Sequence, residues 1–287
     1  MLDPVFPLLR VHAEMTFPES LSLEVLHAGP ATPSNAPPLL FVHGAFCGAW
    51  IWQEHFLDWF AARGYNAYAV SLRGHGNSGS LNDLQRAGMN DFVEDVSHVL
   101  TGLPRPPVLI GHSMGGMVVQ RLIERNPLHT AAGAVLMSSV SPGGLWGTTL
   151  HMALNTPNIL WTLAGMQTFG TQMASAEALH RALFPASVPL ETTQKYLTRF
   201  QTESMRAQSD LTFSPPPVAT HGKSTPMLVI GASEDTFVPP WMARSTARYY
   251  DAPCHILNGM GHAMMLEPDW ERAATILLDW LADTFPS

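Results

Sequence analysis

The sequence predicts an α/β layer structure: a mostly parallel central sheet flanked by helices and interrupted by one helical insertion. Three observations carry this. Short apolar runs alternate with longer amphipathic stretches, the pattern of strands alternating with helices. Runs such as "LLFVHG" (39–44) and "PMLVIG" (226–231) lack polar alternation, as strands covered on both faces do. Residues 142–221 do not follow this rhythm and read as an insertion. The division is therefore a core of residues 1–141 and 222–287 with a helical insertion of residues 142–221.

The elements follow in order. Strands are expected at Val11–Phe17 and Leu23–Ala28, ahead of the proline-rich turn "GPATPSNAPP". "LLFVHG" is the next strand, "WIWQEHFLDWFAARG" a helix closed by Gly64, and "NAYAVSL" (66–72) another strand. Asn90 is the expected N-cap of "DFVEDVSHVL", which sets Phe92, Val93, Val96 and Leu100 on one stripe. Val108–Ile110 suit a strand and Met117–Glu124 a helix, and "AAGAVLMSS" is the strand after it. The insertion carries Trp146, Leu150, Met152, Trp161 and Met166, then helical segments around 175–184 and 189–209, and ends in "SPPPVAT". The rhythm resumes with a strand at 226–231, a helix at Pro239–Tyr250, the strand "CHIL" (254–257) and a closing helix at Trp270–Thr284.

Composition narrows the functions such a chain can serve. With 287 residues and 46% hydrophobic content it can bury a large core. The net charge is −8, and Lys195 and Lys223 are the only lysines. No basic stripe is available for nucleic acid. The start "MLDPVFPLLRVHAEM" lacks a basic segment followed by an apolar core, and no uninterrupted apolar run is long enough to span a membrane. A cytoplasmic protein without an integral membrane segment is expected. Cys47 and Cys254 are far apart and read as free thiols. None of the 13 histidines has paired metal-ligand spacing, so neither a metal nor a cofactor is expected.

The stretch "VLIGHSMGGMVVQ" (108–120) holds the chemistry. Only a very tight turn can join its strand to its helix, and Gly111 and Gly115 flank Ser113 where a side chain would meet neighbouring backbone. Ser113 is left at the tip as a candidate nucleophile. A serine hydroxyl needs a base and a carboxylate to orient that base. Asp235, in "GASEDTFVPP", follows one strand, and His262, in "NGMGHAMMLEP", lies 27 residues later, after the last strand. Strand C-terminal ends are where ligands bind in open α/β sheets. A simple turn serine, a loop histidine and a helix-capping aspartate are the competing readings of these three, with Glu234 as the rival acid.

The combination of "HGAFCGAW", "RGHGNSG", "GHSMGG", "GASEDTFVP" and "GMGHAMMLEP" resembles the α/β-hydrolase fold from Leu39 onward. More narrowly, it is similar to serine esterases and lipases that carry a cap domain. The resemblance implies Ser113 as nucleophile, His262 as base and Asp235 as its orienter, in the family's chain order. It also implies an oxyanion hole from the backbone N–H groups of Ala45 and Met114, with His43 as a hydrogen-bonding scaffold. Where the family often has an aspartate before "RGHG", this chain has Ser71 and Leu72 before Arg73.

The reaction implied is cleavage of a carboxylic ester through an acyl-enzyme. The substrate would be a small molecule, small to medium, with an apolar acyl or alcohol group. Phe46, Trp146, Trp161 and Met166 are the candidate pocket residues. Related dehalogenases and epoxide hydrolases place aspartate where Ser113 stands, hydroxynitrile lyases use an active-site lysine, and carbon–carbon bond hydrolases carry asparagine where His112 stands. Lactonase, lysophospholipase, carbon–carbon bond hydrolase and perhydrolase activities, and a non-catalytic ligand receptor, stay open as alternatives.

Overall fold

In a computed structural model, the described residues are 10–15, 22–32, 34–125, 131–169, 174–219 and 225–286. Among these described residues there are eight strands: β1 (Arg10–Met15), β2 (Leu23–Ala28), β3 (Leu39–Val42), β4 (Ala67–Val70), β5 (Val108–His112), β6 (Gly133–Met137), β7 (Met227–Ala232) and β8 (Cys254–Leu257). They form one sheet in the order β1-β2-β4-β3-β5-β6-β7-β8. The β1–β2 and β2–β4 pairs are antiparallel, and the pairs from β4 to β8 are all parallel.

Strand side chains alternate between two cores, which explains the uninterrupted apolar runs. Leu39, Phe41, Val108, Ile110, Leu228 and Ile230 face one core. That side is covered by α1 (Trp50–Gln53) and α2 (Phe56–Ala61) and by the C-terminal helix. Leu40, Val42, Leu109, Leu136 and Val229 face the other, covered by α3 (Leu81–Arg86), α4 (Met89–Thr101) and α5 (Met114–Arg125). Each such fully buried aliphatic side chain contributes roughly 1.5–3 kcal/mol.

Among the described residues, the helices between β6 and β7 include α6 (Trp146–Asn155), α7 (Pro157–Phe169), α8 (Ala176–Leu183), α9 (Leu190–Tyr196) and α10 (Met205–Phe213). After β7 come α11 (Pro240–Tyr250), which packs on the second core, and α12 (Glu271–Thr284), which closes the first.

Several element boundaries differ from the sequence reading. The expected helix at 50–64 breaks at Glu54–His55 into α1 and α2. Helix α4 starts one residue before Asn90: Gly88 is its N-cap, and Asp91 accepts the Gly88 N–H at 2.7 Å. Residues 189–209 divide into α9 and α10 around a short 3₁₀ turn, and Ser204 caps α10 by accepting the Ala207 N–H. Phe17, Lys223 and the end of the expected insertion at His221 lie outside the described residues.

Candidate active site

The turn after β5 is built as its glycines require. Ser113 has φ +51, a left-handed conformation that non-glycine residues adopt only where the surroundings enforce it. Its carbonyl accepts the Gly116 and Val140 N–H groups, both at 3.0 Å, and its own N–H donates to Met137 at 3.1 Å. A Cβ at Gly111 would lie 2.4 Å from the Gly115 carbonyl oxygen, and one at Gly115 would lie 2.4 Å from the carbonyl oxygen of His43. Helix α5 begins at Met114, not Met117. The Met114 N–H thus belongs to the first turn, where no intrahelical acceptor exists.

Asp235 and His262 meet at the neighbouring strand ends. His262 Nδ1 lies 3.0 Å from both Asp235 carboxylate oxygens. Asp235 Oδ1 also accepts the Phe237 and Val238 N–H groups at 2.9 Å. Burial alone would raise the carboxyl, but His262 and these hydrogen bonds outweigh it and hold it below the ordinary aspartate range. Facing an ionised carboxylate, Nδ1 carries the proton in the neutral ring, which leaves the lone pair on Nε2. Glu234, the rival acid, is exposed, and its backbone N–H donates to the Met260 carbonyl at 2.9 Å.

Ser113, His262, Ala45 and Met114 line one cavity of about 400 Å³. Its walls come from the strand ends and from the helices after β6, including Met152, Leu163, Met166 and Leu179. Of the four candidate pocket residues, Phe46 and Met166 line this cavity. Trp146 and Trp161 do not, being 60% and 77% exposed. The reason is that α6 and α7 carry large apolar side chains on their outer sides as well as toward the cavity. Leu150 and Leu154 continue the outward row of Trp146 at four-residue spacing, while Thr148, Thr149 and Met152 face the cavity. Apolar composition therefore could not say which residues point inward.

The loop after β3 is tightly tied. His43 takes the Leu72 N–H on Nε2 at 3.0 Å and approaches the Gly44 carbonyl through Nδ1 at 2.8 Å. Burial, then His75, pushes its pKa well down, so it is neutral. A Cβ at Gly44 would lie 2.8 Å from His112 Nδ1, which leaves glycine as the residue that fits. His112 donates through Nε2 to the His262 carbonyl at 3.0 Å, and burial followed by the nearby His262 lowers its pKa to about 3. Cys47 also lines the cavity, and burial followed by the charge of Glu203 pushes its thiol up, away from reactivity. In place of the family's aspartate, Ser71 Oγ bonds Glu24 and accepts the Ala49 N–H at 2.9 Å, while Arg73 pairs with Asp91 and Asp95.

Two residues that the sequence reading missed also touch this loop. Glu203 Oε2 accepts the Phe46 N–H at 3.2 Å, and the Gln201 N–H donates to the Phe46 carbonyl at 2.9 Å. They lie in the insertion, 157 residues from Phe46 in the case of Glu203, with no local motif to mark them.

Comparison with known proteins agrees with this architecture. Residues 39–274 match the model of a family described as the alpha/beta hydrolase family. Over 111 residues the chain is 34% identical to the bifunctional esterase/perhydrolase DCH of Acinetobacter calcoaceticus, covering 38% of this chain and 39% of that protein. The chain thus spans under two fifths of the length of that relative. It is 25% identical over 254 residues to the pimeloyl-[acyl-carrier protein] methyl ester esterase of Proteus mirabilis, covering 83% and 90%. A thermophilic esterase structure from Thermogutta terrifontis superposes with a TM-score of 0.72 at 20% identity, covering 97% of this chain and 99% of the other. No helix among the described residues is long and apolar enough to cross a membrane.

Proposed function

Since the chain belongs to the alpha/beta hydrolase family, we propose that it is a serine hydrolase that cleaves carboxylic esters of small to medium size with an apolar acyl or alcohol group. One observation carries the reading: Ser113, in a left-handed conformation at a strand-to-helix turn, faces the same cavity as a His262 already paired with ionised Asp235. Ser113 Oγ attacks the ester carbonyl carbon as His262 Nε2 takes its proton. The oxygen that becomes negative is held by the Ala45 and Met114 N–H groups. His262 then gives the proton to the departing alcohol, leaving an acyl-serine. Water attacks that ester with His262 again as base, and the acid leaves.

The mostly apolar lining supports the substrate class. Leu145, Met152, Leu163 and Met166 come from residues 142–221, which in this reading form a cap over the sheet. The relatives named as esterases support the same class. A fluorophosphonate probe tests the reading. Wild-type protein should be labelled and Ser113→Ala should not, with p-nitrophenyl esters hydrolysed only by the former. An unlabelled wild type that still binds ester would instead mark a ligand receptor.

A further inference from the structure

Phe46 follows the proposed oxyanion donor Ala45 and has φ +63, a conformation that L side chains avoid unless it is enforced. Both of its peptide groups are held from the helical insertion. Glu203 accepts the Phe46 N–H at 3.2 Å, and the Gln201 backbone N–H donates to the Phe46 carbonyl at 2.9 Å. Among the described residues, no hydrogen bond takes up the Ala45 N–H, so it stays available as a donor.

The Glu203 carboxylate is itself fixed in the interior. Its side chain has no solvent exposure, Oε1 accepts the Ser204 N–H at 2.6 Å, and Oε2 lies 3.1 Å from His75 Nε2. Gln201 adds a second tie: its side chain donates to the Gly74 carbonyl at 2.7 Å and accepts the Gly76 N–H at 2.9 Å. A buried carboxylate surrounded by donors is a stiff anchor, because each bond to a charged acceptor is strong and its loss leaves a buried donor unsatisfied. The anchor also reaches the cavity wall, since the Glu203 carbonyl accepts from cavity-lining Gln167 at 2.8 Å, and Gln167 accepts from Gln208 at 3.0 Å.

We propose that Glu203 is a positioning residue for the oxyanion loop: from the helical insertion it fixes the left-handed Phe46 peptide and so sets where the Ala45 N–H points. The insertion would then govern turnover as well as pocket shape. This rests on the serine hydrolase reading above. A donor displaced from the developing oxyanion weakens transition-state binding while leaving ground-state binding largely intact.

The test compares wild type with Glu203→Ala and Glu203→Gln, each shown folded by circular dichroism. Removing one oxyanion donor outright costs about 10²–10³ in kcat, so a loosened donor in Glu203→Ala should cost roughly 10- to 100-fold in kcat with little change in KM. Affinity for an aryl trifluoromethyl ketone, which forms an oxyanion on Ser113, should fall by the same factor, whereas affinity for the product acid should not. Glu203→Gln keeps an oxygen for the Phe46 N–H and should recover most of the loss. If the alanine variant does not fold, Glu203→Asp, which draws the carboxylate back from the Phe46 N–H by one methylene, takes its place with a loss of kcat again expected. Unchanged kcat in folded Glu203→Ala (or in Glu203→Asp where it stands in), or a rise in KM alone, would overturn the proposal. An unlabelled wild type with the fluorophosphonate would remove the serine hydrolase reading and this proposal together, whereas a labelled wild type with an unaffected Glu203→Ala removes the proposal alone.

Discussion

Gly115→Ala should damage the site through backbone rather than through any lost chemical group. The added Cβ would stand 2.4 Å from the His43 carbonyl oxygen and 2.5 Å from that of Val42. Real Cβ contacts are essentially never under 3.0 Å, so the nearer spacing falls short by 0.6 Å, and both obstacles are backbone at the end of β3. Relief requires that the start of α5, which carries Met114, and the loop that carries Ala45 move apart. Overpacking of this kind costs about 1–3 kcal/mol. For a large domain this lowers the melting temperature by roughly 2–4 °C per kcal/mol. Catalysis should suffer more, because the two proposed oxyanion donors sit on the two segments being pushed apart. Disabling one donor costs about 10²–10³ in kcat. The assay is kcat and KM on p-nitrophenyl acetate beside a thermal melt, with Gly143→Ala as control, since the nearest atom to a Cβ there is 3.8 Å away. A folded Gly115→Ala enzyme with wild-type kcat would refute the close fit between β3 and α5 as a condition of activity.

Ser113→Ala and His262→Ala should each lower ester turnover by about 10⁶-fold without unfolding the chain. Asp235→Asn should cost less and Glu234→Gln little, and a damaging Glu234→Gln would reassign the acid. Met166→Ser should reduce kcat/KM for medium-chain esters more than for acetates, at about 0.8 kcal/mol per buried methylene, whereas exposed Trp161→Ala should leave chain-length preference unchanged. Equal effects of the two substitutions would refute this placement of the pocket wall. Glu267 bonds the Gly261 N–H at 2.7 Å, and burial, partly opposed by that bond, lifts its carboxyl to about 7. Its folded pKa lies above the unfolded value of 4.5, so the native state binds the extra proton and stability falls as pH rises from about 4.5 to 7. Thermal melts across that range should show a steeper decline for wild type than for Glu267→Gln, and parallel curves would reject this titration.

Much of the fold was legible because strands buried on both faces must be continuously apolar. "LLFVHG" and Val108–Ile110 could therefore be read as strands, and they hold β3 (Leu39–Val42) and most of β5 (Val108–His112). Gly111 and Gly115 marked the serine turn for a local reason as well, since both are forced by contacts within one β5–α5 unit and its neighbour β3. Helix ends were less legible. The start of α4 depends on Asp91 and on Asp210, which accepts the Met89 N–H at 2.9 Å from 121 residues away. The cavity wall was least legible. In α6 and α7 apolar side chains cover both the cavity side and the outer side, so periodicity has no polar face against which to orient them. Glu203 left no trace in the sequence, because its partners are backbone groups of Phe46 and Ser204 and the ring of His75, and any backbone N–H looks alike from the sequence.

The excursion between β6 and β7 also bears on the order in which the molecule is made. Ala134 pairs with Met227 across the whole insertion; Asp235 follows only after β7, and His262 only after β8. Closing so long a loop adds little free energy beyond closing a shorter one, about 0.6 kcal/mol for each doubling. Parallel pairing at such separation is nevertheless slow. A newly made chain can form β3, β4 and β5 with their helices, and even the serine turn, while the histidine and its carboxylate are still unplaced. The proposed nucleophile Ser113 and its proposed base His262 can thus meet only once β7 and β8 have both been made.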